Sequence, residues 1–203
     1  MSFQPGYLSY NQLREAAEDF LNQYHDARTI PVPIEEIVEF DLDISVVAIE
    51  GLRQQLGVDA FLTNDMGRIF MDQWVMMSAP ERYRFSLAHE VAHYWIHSDL
   101  YEASTIGSVK EWTDVQAAIS EEGYKWFERQ ANSLAGLILV PQAELRSAFQ
   151  HVQQQMRALG VDVKKVDHHP VRQHVIRGLA GQFKVGEQTM GIRLEKDGLL
   201  AAL

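Results

Sequence analysis

His89-Glu90-Val91-Ala92-His93 constrains this chain more than any other stretch. Two histidines four apart lie on one face of a helix, so both imidazoles can grip one metal ion from adjacent turns. Glu90 follows the first histidine and can reach a water on that ion without itself being a ligand. This is the H-E-x-x-H pattern of a metallohydrolase, in which zinc takes three protein ligands plus water and lowers the water pKa to about 7. The surroundings read as a helix. Ser78 is expected as its N-cap, with Pro80 in the first turn and Glu81 at the reciprocal capping position. Phe85, Ala88, Ala92, Trp95 and Ile96 recur at three-to-four spacing and supply a face to bury. A packing helix that merely happens to carry two histidines would leave the glutamate between them unexplained.

A third ligand is required, and three residues compete. His97 stands eight beyond His89, about 12 Å along the axis, too far for both rings to share one tetrahedral ion comfortably. It fits better as a helix-end residue, a partly charged imidazole at the C-terminal dipole. Asp99 would need the chain to double back at position 96, where a β-branched isoleucine resists positive φ. Glu128 is the better candidate. It lies at the start of a second helical pattern running from Tyr124 to Val140 and stopped by Pro141, with Tyr124, Phe127, Ala131, Leu134, Ala135 and Ile138 as its apolar face. A carboxylate next to such a face is costly without a partner, and a metal ion is one of the few that offsets the cost. Asn132, one turn later, is placed to hydrogen-bond a ligating histidine and fix its tautomer.

Arg84-Phe85-Ser86-Leu87-Ala88-His89-Glu90-Val91-Ala92-His93, with Glu128-Arg129-Gln130-Ala131-Asn132-Ser133-Leu134-Ala135 and Leu139-Val140-Pro141, resembles the ImmA/IrrE family of zinc metallopeptidases. The likeness covers roughly positions 25 to 145, and Ile30-Pro31-Val32-Pro33 before a short helix fits it as well. It departs from the family pattern in Ala92, where glycine is usual, and in the long connection from His97 to Glu128. The resemblance implies a gluzincin-like peptidase core, His89, His93 and Glu128 as metal ligands, and Glu90 as general base. It implies zinc, although two histidines and a glutamate also admit manganese. It implies a protein substrate as well: a helix-turn-helix, DNA-binding repressor whose cleavage relieves transcriptional control.

Composition narrows the alternatives. The chain has no cysteine, which removes disulfides, thiolate ligands and cysteine nucleophiles together. Its first residues lack a basic region and a hydrophobic signal core, and no apolar run reaches membrane-spanning length, so a cytoplasmic location is expected. A net charge of −10 argues against broad nucleic-acid binding by the body of the chain.

Ser9 to His25 reads as an amphipathic helix, with Leu13, Ala17, Phe20, Leu21 and Tyr24 inward and a Ser9/Gln12 capping box. Pro33 to Phe40 is a short second helix. Ile44–Ile49, Val58–Thr63 and Arg68–Met71 read as strands, the last two joined by a turn at Asn64-Asp65-Met66-Gly67. These predict an α+β fold, a small antiparallel or mixed sheet packed on the zinc-bearing helices. Ser104 to Ser108 reads as a loop and Trp112 to Ile119 as a short helix. A lid and a plain surface excursion are both open for this insertion.

Residues 1–160 are expected to form the peptidase domain and 161–203 a C-terminal helical, winged or helix-turn-helix-like segment. From Lys164 to Leu200 the charge is +3, leaving −13 for the remainder. Val175, Leu179, Ala180 and Phe183 mark one helical face, and Met190, Ile192 and Leu194 begin another after a turn at Lys184-Val185-Gly186-Glu187. A DNA reader needs basic or amide side chains at the start of that second helix, and Glu187-Gln188-Thr189 suits the role poorly. Packing or docking of a protein partner suits it better.

Two function classes remain. One is a zinc-dependent endopeptidase, with an oxyanion donor among Tyr94, Tyr124, His151, His168, His169 and His174. The other is a non-hydrolytic, metal-stabilised regulator that binds DNA or a partner through its C-terminal segment. Glu90 favours the first, because a structural metal site has no use for it.

Overall fold

Local capping starts the chain. In the computed structural model, which describes residues 6–102, 111, 120–160 and 168–202, helix α1 spans Tyr10–Tyr24. The expected capping box is formed: Ser9 N–H donates to Gln12 Oε1 at 2.9 Å, and Gln12 N–H donates to Ser9 Oγ at 3.3 Å. Leu13, Ala17, Phe20 and Leu21 are buried. The second helix is a single α turn, α2 (Ile34–Glu36), that widens into a π-helix over Ile37–Asp41. The Leu42 amide there reaches back to the Ile37 carbonyl at 2.9 Å.

Among the described residues three strands form one mixed sheet: β1 (Ser45–Ile49), β2 (Ala60–Leu62) and β3 (Arg68–Asp72), in the order β1-β3-β2. β2 and β3 make an antiparallel hairpin, with Phe61 opposite Phe70, whereas β1 runs parallel to β3. Parallel partners need a crossover. Helix α3 (Leu52–Leu56) and β2 occupy the intervening chain.

Asp72 closes β3 and opens α4 (Gln73–Ser78). Its Oδ1 accepts from the amides of Trp74 and Val75 at 3.0 and 3.2 Å, while Oδ2 accepts from the Arg53 amide at 2.9 Å. This overturns the expected cap at Ser78. Because Asp72 has already started a helix, Ser78 is an exposed residue of its last turn, without the extended backbone an N-cap needs. α5 (Pro80–Ile96) begins after Ala79, with no side-chain cap and with Pro80 in its first turn.

α5 is buried on more than one stripe. Leu87, Ala88, Val91 and Ala92 are enclosed, while Phe85, Trp95 and Ile96 are half-buried. The Trp95 indole N–H donates to the Ala16 carbonyl at 3.1 Å, tying α5 to α1. After α6 (Ser98–Glu102), Ser120 caps α7 (Glu121–Leu139), accepting from the Gly123 amide at 3.1 Å. α7 packs against both α5 and α1, and ends before Pro141. The loop expected at Ser104–Ser108 and the helix expected at Trp112–Ile119 lie outside the described residues.

α8 (Gln142–Ala158), α9 (His168–Phe183), α10 (Glu187–Lys196) and a 3-10 turn (Leu199–Ala202) follow among the described residues. Val175, Leu179, Ala180, Phe183, Met190 and Leu194 are buried as expected, but Ile192 is 49% exposed. It lies two residues from both Met190 and Leu194, on the opposite face of the turn. Arg193 is buried instead, 2% exposed, donating to the Val140 carbonyl at 3.2 Å and pairing with Asp197 at 2.9 Å. Arg84 of α5 donates to the Lys184 carbonyl between α9 and α10 at 3.2 Å and to the Val32 carbonyl at 2.5 Å. These buried cations join the last two helices to α5 and α7. The domain boundary expected at 160/161 abuts residues 161–167, which are outside those described.

Candidate metal centre

Packing of α5 on α7 brings together His89, His93 and Glu128, each with a ligand atom within 4.8 Å of the others. The two imidazoles come from successive turns of α5, their Nε2 atoms 3.0 Å apart. Glu128 on α7 sets Oε2 3.1 Å from His89 Nε2 and Oε1 3.8 Å from His93 Nε2. The donor set fits a small divalent ion: a tetrahedral zinc site with bonds near 2.0–2.1 Å has edges of about 3.3 Å. His93 is buried, while His89 and Glu128 are half-buried and so keep one side of the cluster open. A cavity of about 980 Å³ reaches the cluster at Glu128 but is not lined by the histidines; Asn132, Tyr124 and Phe85 also line it, and α10 walls it through Gln188 and Thr189.

The charges respond to this crowding. Burial pulls the His89 ring down, but its hydrogen bond to Glu128 and the charges of Glu90 and Glu128 lift it above the ordinary imidazole value. Burial, followed by the neighbouring His89 and His97 rings, holds His93 well below that value. Glu90 is 4% exposed, and its Oε2 accepts from the Leu62 amide of the edge strand β2 at 2.8 Å. Burial pushes its pKa up to about 7; His89 opposes the rise, Glu128 adds to it, and the Leu62 amide opposes it. The result is a carboxyl poised to exchange a proton near neutrality.

Of the other expected residues, Asn132 is exposed on α7. Its amide nitrogen donates to the Glu128 carbonyl at 2.8 Å and its side chain hydrogen-bonds His89. Asp99 is exposed on α6 and stands apart from the cluster. His97 corrects the sequence reading. It does cap the C-terminal end of α5, but instead of carrying partial charge there it is buried (4% exposed) behind His93, Nδ1 to Nδ1 at 2.9 Å, and burial brings its pKa down to about 4 despite a hydrogen bond to Gln130. A neutral ring there gains nothing from the dipole. Among the proposed oxyanion donors, Tyr124 lines the cavity, His151 is bonded to Gln155 at 3.0 Å on α8, and His174 is exposed on α9. The side chains of His168 and His169 are outside those described.

Sequence reasoning missed Gln130, Phe127 as a ring partner, and Tyr101. Phe127 stacks on His93 and on His97, centroids 4.1 and 4.4 Å apart. Tyr101 lies beside the same rings. Burial and then the charges of Glu90 and Glu128 raise its pKa, which keeps the phenol a hydrogen-bond donor. The recurrence of histidine at 89, 93 and 97 was the available signal, since a third ring at i+4 continues the same helix face.

Comparison with known proteins agrees with the geometry. The family model Peptidase_M78, described as an IrrE N-terminal-like domain, matches residues 46–195. No curated protein matches the chain. Among solved structures, a Mycobacterium tuberculosis transcriptional regulator is similar at 26% identity and a TM-score of 0.54. The match covers 90% of this chain and 55% of that one, so the present chain spans about half the regulator's length.

Proposed function

The chain belongs to the IrrE N-terminal-like family of metallopeptidases, and on that footing we propose that it is a zinc-dependent endopeptidase that cuts a DNA-binding repressor. The observation that carries the reading is Glu90, a buried carboxyl anchored to the Leu62 amide beside three convergent ligand atoms. A metal-stabilised binding protein would have no reason to keep a costly carboxylate there.

His89, His93 and Glu128 would hold the ion, with Asn132 steadying the His89 ring. When bound, zinc would polarise a peptide carbonyl and lower the pKa of a coordinated water to about 7. Glu90 would accept one proton from the attacking water. The carbon–oxygen bond forms as the carbonyl becomes tetrahedral, and Glu90 then returns the proton to the leaving nitrogen as the carbon–nitrogen bond breaks. The adjoining cavity offers room for the flanking peptide, with apolar contact from Phe85 and Ile192.

The repressor rests on the family resemblance and on the regulator name carried by the Mycobacterium tuberculosis relative. The test is incubation of the metal-loaded protein with helix-turn-helix repressors encoded beside it. One defined cut, lost in Glu90→Gln, is expected. Cleavage that persists in Glu90→Gln contradicts the assignment of the base.

A further inference from the structure

Behind the ligand cluster, four groups form one hydrogen-bonded line. His93 Nδ1 lies 2.9 Å from His97 Nδ1, His97 Nε2 lies 2.9 Å from Gln130 Oε1, and Gln130 Nε2 lies 2.7 Å from the Gly6 carbonyl oxygen. Its far end sets the direction of every bond. A backbone carbonyl only accepts, so the Gln130 amide turns its nitrogen to Gly6 and its oxygen to His97. An amide oxygen also only accepts, so His97 carries its proton on Nε2 and presents a bare lone pair at Nδ1. The donor facing that lone pair is His93 Nδ1–H. A neutral imidazole has one N–H, so His93 Nε2 is left unprotonated. That nitrogen points at His89 and Glu128.

We infer that Gln130 and His97 are positioning residues that lock His93 into the tautomer that frees Nε2, the nitrogen facing His89 and Glu128, to ligate a metal, with the Gly6 backbone as the fixed reference. This inference rests on the proposed role of His93 as a ligand and adds how that role is enforced. His93, His97 and Gln130 are 2%, 4% and 2% exposed, so bulk water does not compete to exchange donor for acceptor. Phe127 lies nearly parallel to both rings, at 29° to His93 and 27° to His97, which opposes a ring flip. The line also crosses elements: α5 supplies His93, α7 supplies Gln130, and Gly6 precedes α1. The seating of α1 against α7 is thereby coupled to the state of the ligand.

The test is two-bond proton–nitrogen correlation on histidine-labelled, metal-free protein at mildly alkaline pH. His93 should carry its proton on Nδ1 and His97 on Nε2. A proton on His93 Nε2, or on His97 Nδ1, overturns the inference. In Gln130→Met, which removes the acceptor at similar volume, His93 should show mixed tautomers and zinc affinity by chelator competition should fall about 10–100-fold. Wild-type tautomer and affinity in Gln130→Met would also overturn the inference. The spectrum needs neither metal nor substrate, so a missing peptidase activity would leave its result standing.

Discussion

Glu90→Gln should stabilise the metal-free protein while removing its activity, and by an amount that depends on pH. Glu90 is almost fully enclosed, and burial raises its pKa from 4.5 to about 7. An acid whose folded pKa lies above its unfolded value keeps its proton longer in the folded chain. Its burial costs nothing below about pH 4.5, and stability is lost progressively as pH rises through 7. At roughly 1.4 kcal/mol per unit, the loss is about 1 kcal/mol at pH 5, 2 at pH 6 and 3 at pH 7. Glutamine has nearly the same shape, can still accept from the Leu62 amide, and carries no charge to desolvate. Urea unfolding of chelator-treated wild type and Glu90→Gln across this range should show the variant ahead by those margins. Metal content after reloading should be unchanged, and cleavage should fall about 10²–10⁴-fold. A stability difference that does not change with pH, or a variant less stable at pH 7, would refute the reasoning.

Other consequences follow from particular contacts. Glu128→Ala should lose its metal on dialysis, by elemental analysis, because the remaining pair of imidazoles makes an incomplete site; full occupancy would assign the third ligand elsewhere. For Asp72, burial works against ionisation, but the amides of Arg53, Val75 and Trp74 outweigh it and hold its carboxyl below the usual range. Its contribution should be present above about pH 4 and lost as pH falls through the depressed value. Asp72→Ala should therefore cost about 1–2 kcal/mol at pH 7 in urea melts and much less in acid. Gly136 sits inside α7, where an added Cβ would meet only Arg193 Cδ at 3.6 Å and Thr189 Cγ2 at 3.9 Å. Gly136→Ala should raise stability by about 1 kcal/mol through helix propensity, and a loss in thermal melts would show that α10 packs more tightly on α7.

What the sequence revealed divides along physical lines. Local signals read correctly: the Ser9/Gln12 box, the hairpin turn before Arg68, and the apolar faces of α1 and α7 depend on residues a few positions apart. The convergence of Glu128 on His89 and His93 was also legible, because a carboxylate beside a burying face calls for a partner. Ser78 misled because its pattern suits a cap, and only the earlier helix begun by Asp72 removes the need. α3 and α4 are five and six residues long, too short for periodicity to declare them. Ile192 missed its expected burial, and the buried residue beside it is Arg193, whose guanidinium is satisfied by two bonds to the Val140 carbonyl and by Asp197. His97 failed as a charged helix end for a related reason: Gln130, 33 residues away, accepts its N–H in a dry interior.

Zinc K-edge absorption on the purified, zinc-loaded protein tests the central claim most directly. The expected spectrum shows one ion per chain with two imidazoles and a carboxylate oxygen at about 2.0–2.2 Å, and one imidazole fewer in His93→Gln. An ion that shows no imidazole scattering, or a spectrum that His93→Gln leaves unchanged, would contradict it.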